Sequence, residues 1–271
     1  MSVYKYTPEA ETSDTAASSS PSVLVSAPSA IKMAQAFQTY VFLDLEATGL
    51  RYDRPRIAEI CLIAVNLHSL ENPERDEAGD LLPPRILDKI CLCVDPLIPL
   101  TPKATQITGL SNKNLSNNQK QSFSSSLVGL LQGFLERQVQ PVCLVAHNGF
   151  NYDFPLLKTE LQRVQRDLGG SLACLDSYQA LRGMDKAVSS KGYYTLSEVY
   201  QRCFGRYPQQ SHYAEGDVLT LLMIFLHKAP DFLHWACDHC KSWEDIEPMY
   251  NPQTPEKGED LPANIVTTSA N

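Results

Sequence analysis

Five side chains, four acids and a histidine, have types and an order that could do chemistry together. In "VFLDLEATG", Asp44 and Glu46 are two positions apart, so on a strand they share one face while Leu43 and Leu45 share the other. Two carboxylates side by side in an apolar strand raise one another's pKa unless a cation offsets their desolvation. Asp153 in "HNGFNYDFPLL" stands where a strand gives way to a helix, with Pro155 in that helix's first turn. An acid there is a favoured N-cap. The carboxyl end of a strand in an open α/β sheet, reached through a Gly-containing loop, is also where sites are built. In "SHYAEGDVLTLL", His212 and Asp217 are separated by about 140° on a helix wheel and cannot share a helical face. They converge only if His212 lies on a loop and Asp217 in the first turn of a helix beginning near Ala214. Val218, Leu221, Leu222 and Phe225 would then face the core. The bland alternatives are a first-turn acid that suits the helix dipole and a histidine that is an ordinary loop residue.

Taken together, the four carboxylates of Asp44, Glu46, Asp153 and Asp217 suit two hard divalent cations, Mg²⁺ with Mn²⁺ able to substitute. Such ions, roughly 3.5–4 Å apart, clamp the attacking and leaving oxygens of an in-line phosphoryl displacement. His212, with an ordinary pKa of about 6.5, suits removal of a proton from the attacking water at neutral pH. Hydrolysis of a phosphodiester in this way leaves a phosphomonoester.

These side chains need a sheet to hold them. "TYVFLDLEAT" (39–48), "RIAEICLIAVNL" (56–67) and "RILDKICLCV" (85–94) read as three strands, the last two apolar on both faces. The polar "ENPERDEAGD" between those two is an exposed loop. After a loop with one short helical turn, "SFSSSLVGLLQGFLERQ" places Phe123, Leu127, Leu130, Leu131, Phe134 and Leu135 at helical spacing. "PVCLVAH" and "SLACLDS" predict a fourth and a fifth strand, with "DFPLLKTELQRVQRDL" a helix between them. "TLSEVYQRCFG" opens with a capping box of Thr195 and Glu198 and closes at Gly205. Helices around 214–227 and 230–240 finish the domain. Helices that alternate with strands after a three-strand block predict an α/β fold: a mixed five-stranded sheet covered on both faces.

The 271 residues, 43% hydrophobic and 20% charged, are ordinary for one enzyme-sized domain, expected over 37–251. Residues 1–36 and 252–271, rich in Ser, Ala, Pro and Thr without apolar periodicity, are expected to be disordered tails. No run approaches the roughly 18 apolar residues of a membrane span, and the start lacks the marks of a secretory or mitochondrial leader. Eight scattered cysteines in apolar runs suit a reducing compartment. The expected location is intracellular, nuclear or cytoplasmic, with no secretion and no membrane. Cys237 and Cys240 in "CDHC" lack a second pair at metal-ligand spacing, and a helix with two packed thiols is the better account. A net charge of −8 does not advertise a nucleic-acid binder, but four cation-neutralised carboxylates would bring the remaining surface close to neutral.

The order D-x-E, then Asp at a strand-to-helix junction, then H-x-x-x-x-D is that of the DEDDh exonucleases, whose fold is ribonuclease-H-like. More closely, "FLDLEATGL", "LDKICLCV", "ATQITGLS", "CLVAHNGFNYDFPLL", "YYTLSEVYQRCFG" and "SHYAEGDVLTLL" resemble the three-prime repair exonuclease family over about residues 38–250. The resemblance implies that the Ala47 backbone, Leu50 and Ile107 hold the terminal nucleotide, with Leu50 wedged against its base. Asn148 and Tyr152 are the implied phosphate-side contacts beside His212, and His147 is left as structural. It also implies homodimers paired through edge strands, with which apolar "ICLCV" is compatible. The proline-rich segment of some relatives is replaced by "ENPERDEAGDLLPP", so no reader of polyproline is expected as a partner. The loop that grips duplex DNA offers only Arg182, Lys186 and Lys191, so single-stranded DNA with a free 3′ end is the favoured substrate. No hydrophobic C-terminal extension is present, so the membrane-anchored relative is a poor guide to location. The expected activity is therefore a metal-dependent 3′-to-5′ DNA exonuclease. The alternatives are an exoribonuclease built on the same site, or a nucleic-acid-binding module without turnover; the second is disfavoured because all five positions hold the required residue types.

Overall fold

A computed structural model describes residues 37–185 and 192–254. The tails expected over 1–36 and 252–271 lie outside it except for 252–254, as do Lys186 and Lys191. The described chain runs β1 (Thr39–Ala47), β2 (Ile57–Asn66), α1 (Leu67–Glu71), β3 (Asp88–Cys93), α2 (Pro102–Thr108), α3 (Asn112–Asn117) and α4 (Ser125–Glu136). It continues through β4 (Val142–Ala146), α5 (Asp153–Arg163), β5 (Leu172–Asp176), α6 (Ser177–Met184), α7 (Leu196–Phe204), α8 (Ala214–His227), α9 (Ala229–His239) and β6 (Lys241–Ser242).

The strands form one mixed sheet in the order β3-β2-β1-β4-β5-β6. The pairs β1/β2, β2/β3 and β5/β6 are antiparallel, and β1/β4 and β4/β5 are parallel. Alternation along β1 divides the core. Val41, Leu43 and Leu45 point to the face covered by α4 and α5, where Leu131, Phe134, Phe154 and Leu157 are buried. Tyr40 and Phe42 point to the face covered by α6 to α9, where Phe42 meets Phe225 of α8 edge-on and Phe225 stacks on Phe232 of α9. The parity of Phe42 is also that of Asp44 and Glu46, so the two acids open toward α8.

Several expectations are corrected. The sheet has six strands, not five. The sixth is two residues long, too short for a period to register, and it begins where α9 ends, so "CDHC" does not lie wholly on a helix. Cys240 is extended and its Sγ lies 3.7 Å from that of Cys143 in β4. β3 is not apolar on both faces: Lys89 and Cys91 are exposed and Ile90 and Leu92 half-buried, because among the described residues no strand pairs beyond this edge. Leu130 of α4 is 51% exposed and stays out of the core. The loop before α4 carries two short helices, α2 and α3, in place of one turn. Thr195 occupies the N-cap of α7 without a side-chain capping bond, and Glu198 instead accepts from the Tyr207 hydroxyl at 3.1 Å.

Candidate active site

β1 ends beside a register shift between Glu46 and Ala47: Glu46 is paired with Glu59 of β2, Ala47 with Ile57, and Ala58 is the extra residue. Such a bulge bends the strand end and re-aims the side chains around it. Opposite stands the first turn of α8. As the spacing required, α8 starts at Ala214, His212 lies on the preceding loop in the left-handed region (φ 67), and Asp217 falls in the first turn. Val218, Leu221, Leu222 and Phe225 are all buried beneath it. The Asp217 carboxylate accepts the backbone N–H of His212 at 3.0 Å, which ties loop to helix. Oxygens of Asp44, Glu46 and Asp217 thereby come within 4.8 Å of one another.

Asp153 stands outside that trio but within reach of its field. It is the first residue of α5, with Tyr152 at the N-cap, so it is not the N-cap that its neighbour Pro155 suggested. It is 4% exposed, and its own backbone N–H and that of Leu45 draw its pKa down against the pull of burial. Burial nevertheless raises it to about 7, with Asp176 and Asp217 adding repulsion. Asp44 is held well above the usual carboxylate range by burial first and then by Asp153, Asp217 and Glu46. Glu46 is raised to about 8 by burial, Asp217 and Glu59, and Asp217 is raised by burial. Four acids that cannot all ionise side by side, offering only oxygen donors, fit a site for hard divalent cations.

A cleft of about 380 Å³ opens beside Glu46, lined by Ala47, Leu50, Tyr52, Lys103, Ile107 and Tyr152 among others. Leu50 and Ile107, 42% and 41% exposed, are apolar walls ready to be covered. Two hydrogen bonds tie the loop that carries Leu50 to the loop after β4: the Tyr152 hydroxyl donates to the Gly49 carbonyl at 2.5 Å, and Arg51 donates to the Asn151 carbonyl at 3.0 Å. A larger cavity of about 580 Å³ lies at the opposite ends of β4 and β5, around Leu135, Pro141 and Leu172, away from the acids.

Of the remaining expected contacts, the structure sets Asn148 apart. It does not line the cleft, and its side chain accepts from Asn151 at 2.8 Å. His212 has an exposed side chain on the loop beside Asp217. His147 is a structural histidine: its ring bonds Ser177 and the Tyr194 carbonyl, and burial lowers it to about 4.

Two further acids belong to the site and were not singled out from the sequence. Asp176, at the end of β5, accepts the N–H groups of Asn148 and Phe150 and caps α6 through Tyr178 and Gln179. It thus fixes the loop that leads to Asp153. Glu59 accepts the N–H of Ala214 at 3.2 Å. A lone acid within apolar "IAEICLIAV" was the available signal for Glu59.

The sequence model of the exonuclease family matches residues 41–225. Three prime repair exonuclease 2 of Mus musculus is 54% identical over 221 residues, 79% of this chain and 94% of that protein. Three-prime repair exonuclease 1 of Bos taurus is 41% identical over 242 residues, 85% and 76% of the two chains. Among solved structures, the nuclease domain of 3′hExo, a DEDDh family member bound to rAMP, superposes with a TM-score of 0.56 at 13% identity. The match covers 72% of this chain and 93% of that one, and supports the ribonuclease-H-like fold.

Proposed function

The chain belongs to the three-prime repair exonucleases of the exonuclease family, and from that premise we propose that it removes deoxynucleoside 5′-monophosphates stepwise from the 3′ end of DNA. The observation that carries this is the meeting of Asp44, Glu46 and Asp217 oxygens within 4.8 Å beside an apolar cleft of single-nucleotide scale.

Asp44, Glu46, Asp153 and Asp217 are the residues that would hold divalent cations, Mg²⁺ by preference. When bound, these supply positive charge at the scissile phosphate and lower the pKa of an attacking water. Leu50 and Ile107 grip the terminal nucleotide from the cleft walls together with the Ala47 backbone, and Tyr152 stands on the phosphate side. His212 takes the proton of the attacking water as the new P–O bond forms and the bond to the 3′ oxygen of the preceding nucleotide breaks, and that oxygen takes a proton from solvent. A shortened 3′-hydroxyl strand and a 5′-monophosphate result. Single-stranded ends suit the chain, because the stretch expected to grip duplex carries only Arg182, in the last turn of α6, and Lys186 and Lys191, which lie outside the described residues. The β3 edge, with Ile90 and Leu92 half-buried, is where a second copy would pair.

The test is digestion of matched 5′-labelled DNA and RNA oligonucleotides with Mg²⁺, beside a chelated control and Asp44→Ala. Metal-dependent laddering of DNA, lost in Asp44→Ala and weak on RNA, is expected. Degradation of RNA alone would overturn the substrate assignment, and silence on both would overturn the activity.

A further inference from the structure

The start of α8 must be held accurately, because it carries Asp217 and follows directly on His212, yet the loop before it is conformationally costly. Gln210 and His212 both occupy the left-handed region (φ 56 and 67) without being glycine. A Cβ on Gly216 would lie 2.1 Å from the Gln210 carbonyl oxygen, so loop and helix are already in contact there. Tyr213, at the N-cap, gives no side-chain bond to the helix. Of the orphan N–H groups of this first turn, that of Ala214 is taken from another element, by Glu59 of β2 at 3.2 Å. Glu59 is itself placed by the sheet, in register opposite Glu46. One side chain thus joins the strand pair that bears Asp44 and Glu46 to the helix that bears Asp217.

We propose that Glu59 is a positioning residue of this centre: its carboxylate caps α8 from the neighbouring sheet and sets Asp217 and the His212 loop against Asp44 and Glu46. The inference rests on the exonuclease reading for its consequence in turnover, but not for its geometry. Other ties act at the same place. Asp217 accepts the His212 N–H, and Lys89 pairs with Glu215 at 2.6 Å, but the former lies within the loop and helix and the latter, half-exposed, is a weak surface bridge. Among the described residues Glu59 is the buried-side link from the helix start to the strand pair that carries the DxE acids.

Glu59→Met fills similar space without an acceptor, and Glu59→Gln keeps an acceptor without the charge. Thermal melts establish that both are folded. In the Met variant kcat on single-stranded DNA should fall about 10- to 100-fold, with KM changed less than about twofold, since misplacement of catalytic groups acts on turnover. The Gln variant should return kcat to within about threefold of the parent. Amide hydrogen exchange reads the geometry without any activity: the Ala214 N–H should be protected in the parent and in Gln, and exchange about tenfold faster in Met. A Gln variant as slow as Met would mean that charge rather than the hydrogen bond matters, and would overturn the proposal. So would unchanged turnover in Met, or an unprotected Ala214 amide in the parent. A parent inert on DNA but showing the expected exchange pattern would instead sink the activity assignment and leave the positioning intact.

Discussion

Metal-free protein should lose stability as the pH rises above neutrality, and Mg²⁺ should restore it most at the alkaline end. Glu46 and Asp153 are raised from 4.5 and 3.8 to about 8 and about 7, and Asp44 and Asp217 are raised too. A carboxyl whose pKa is higher folded than unfolded keeps its proton in the native state after the unfolded chain has released it. The native state then binds more protons, so stability falls through that interval and levels off above the folded value. His147, lowered to about 4, and His227, also lowered, act oppositely, but only below about pH 6.5, the unfolded value. The clean window is therefore about pH 6.5 to 8. Across it Glu46 alone corresponds to about 2 kcal/mol at about 1.4 kcal/mol per pH unit, and its partial contact with water leaves ~1 kcal/mol. For a domain of this size that is about 2–4 °C in Tm, with Asp44 adding in the same direction. A cation bound only to the native state at about 100 times its Kd returns about 2.7 kcal/mol, and less where the acids are protonated. Calorimetry in chelator and in Mg²⁺ across the window measures both, with Glu46→Gln as the variant whose slope should flatten. A chelated Tm that stays level or climbs, together with equal Mg²⁺ increments at both ends, would refute the electrostatic account of the cluster.

Asp217→Asn should abolish hydrolysis while leaving Tm within about 2 °C of the parent or above it, because an amide oxygen still accepts the His212 N–H and one like charge is gone; a clear loss of Tm would show the residue to be mainly structural. His212→Ala should lower kcat about 10²- to 10⁴-fold with Mn²⁺ affinity and Tm unchanged, since the side chain is exposed; full turnover would remove it as the base. Away from the acids, Glu160 (1% side-chain exposure) pairs with Arg56, and Glu160→Leu should cost about 3–5 kcal/mol by denaturant unfolding, because a buried guanidinium is left uncompensated. Adding Arg56→Met should recover much of that loss, and no recovery would contradict the desolvation argument.

The elements that position the site were legible because they are long and periodic. β1 announces itself by alternation, and α8 by the only geometry in which His212 and Asp217 can converge. What escaped was either short or settled by tertiary contact. β6 has two residues and no period to read. The T-x-x-E pattern at Thr195 matches a capping box, but the Tyr207 hydroxyl claims Glu198. Asp153 looked like an N-cap because Pro155 follows it, yet the helix begins one residue earlier than that pattern implies. Glu59 accepts from the N–H of Ala214, 155 residues further on, and Asp176 from those of Asn148 and Phe150, 28 and 26 residues back; no spacing rule links an acid to such donors. The cleft lining shows the same limit: Leu50 and Ile107 came from resemblance, whereas Tyr52 and Lys103 join them only in three dimensions.

The two hydrogen bonds beside the cleft, Tyr152 to Gly49 and Arg51 to Asn151, fasten the loop after β1 to the loop after β4. Both run from a side chain to a main-chain carbonyl, so the wall that carries Leu50 is held in place without a substrate. Ordering that is complete before binding lowers the entropic cost of each engagement, and this cost recurs with every nucleotide removed. In the proposed nucleotide site a terminal base that fits would be seated without reordering of the loop that carries Leu50, and one enlarged by a bulky adduct would meet a wall already braced.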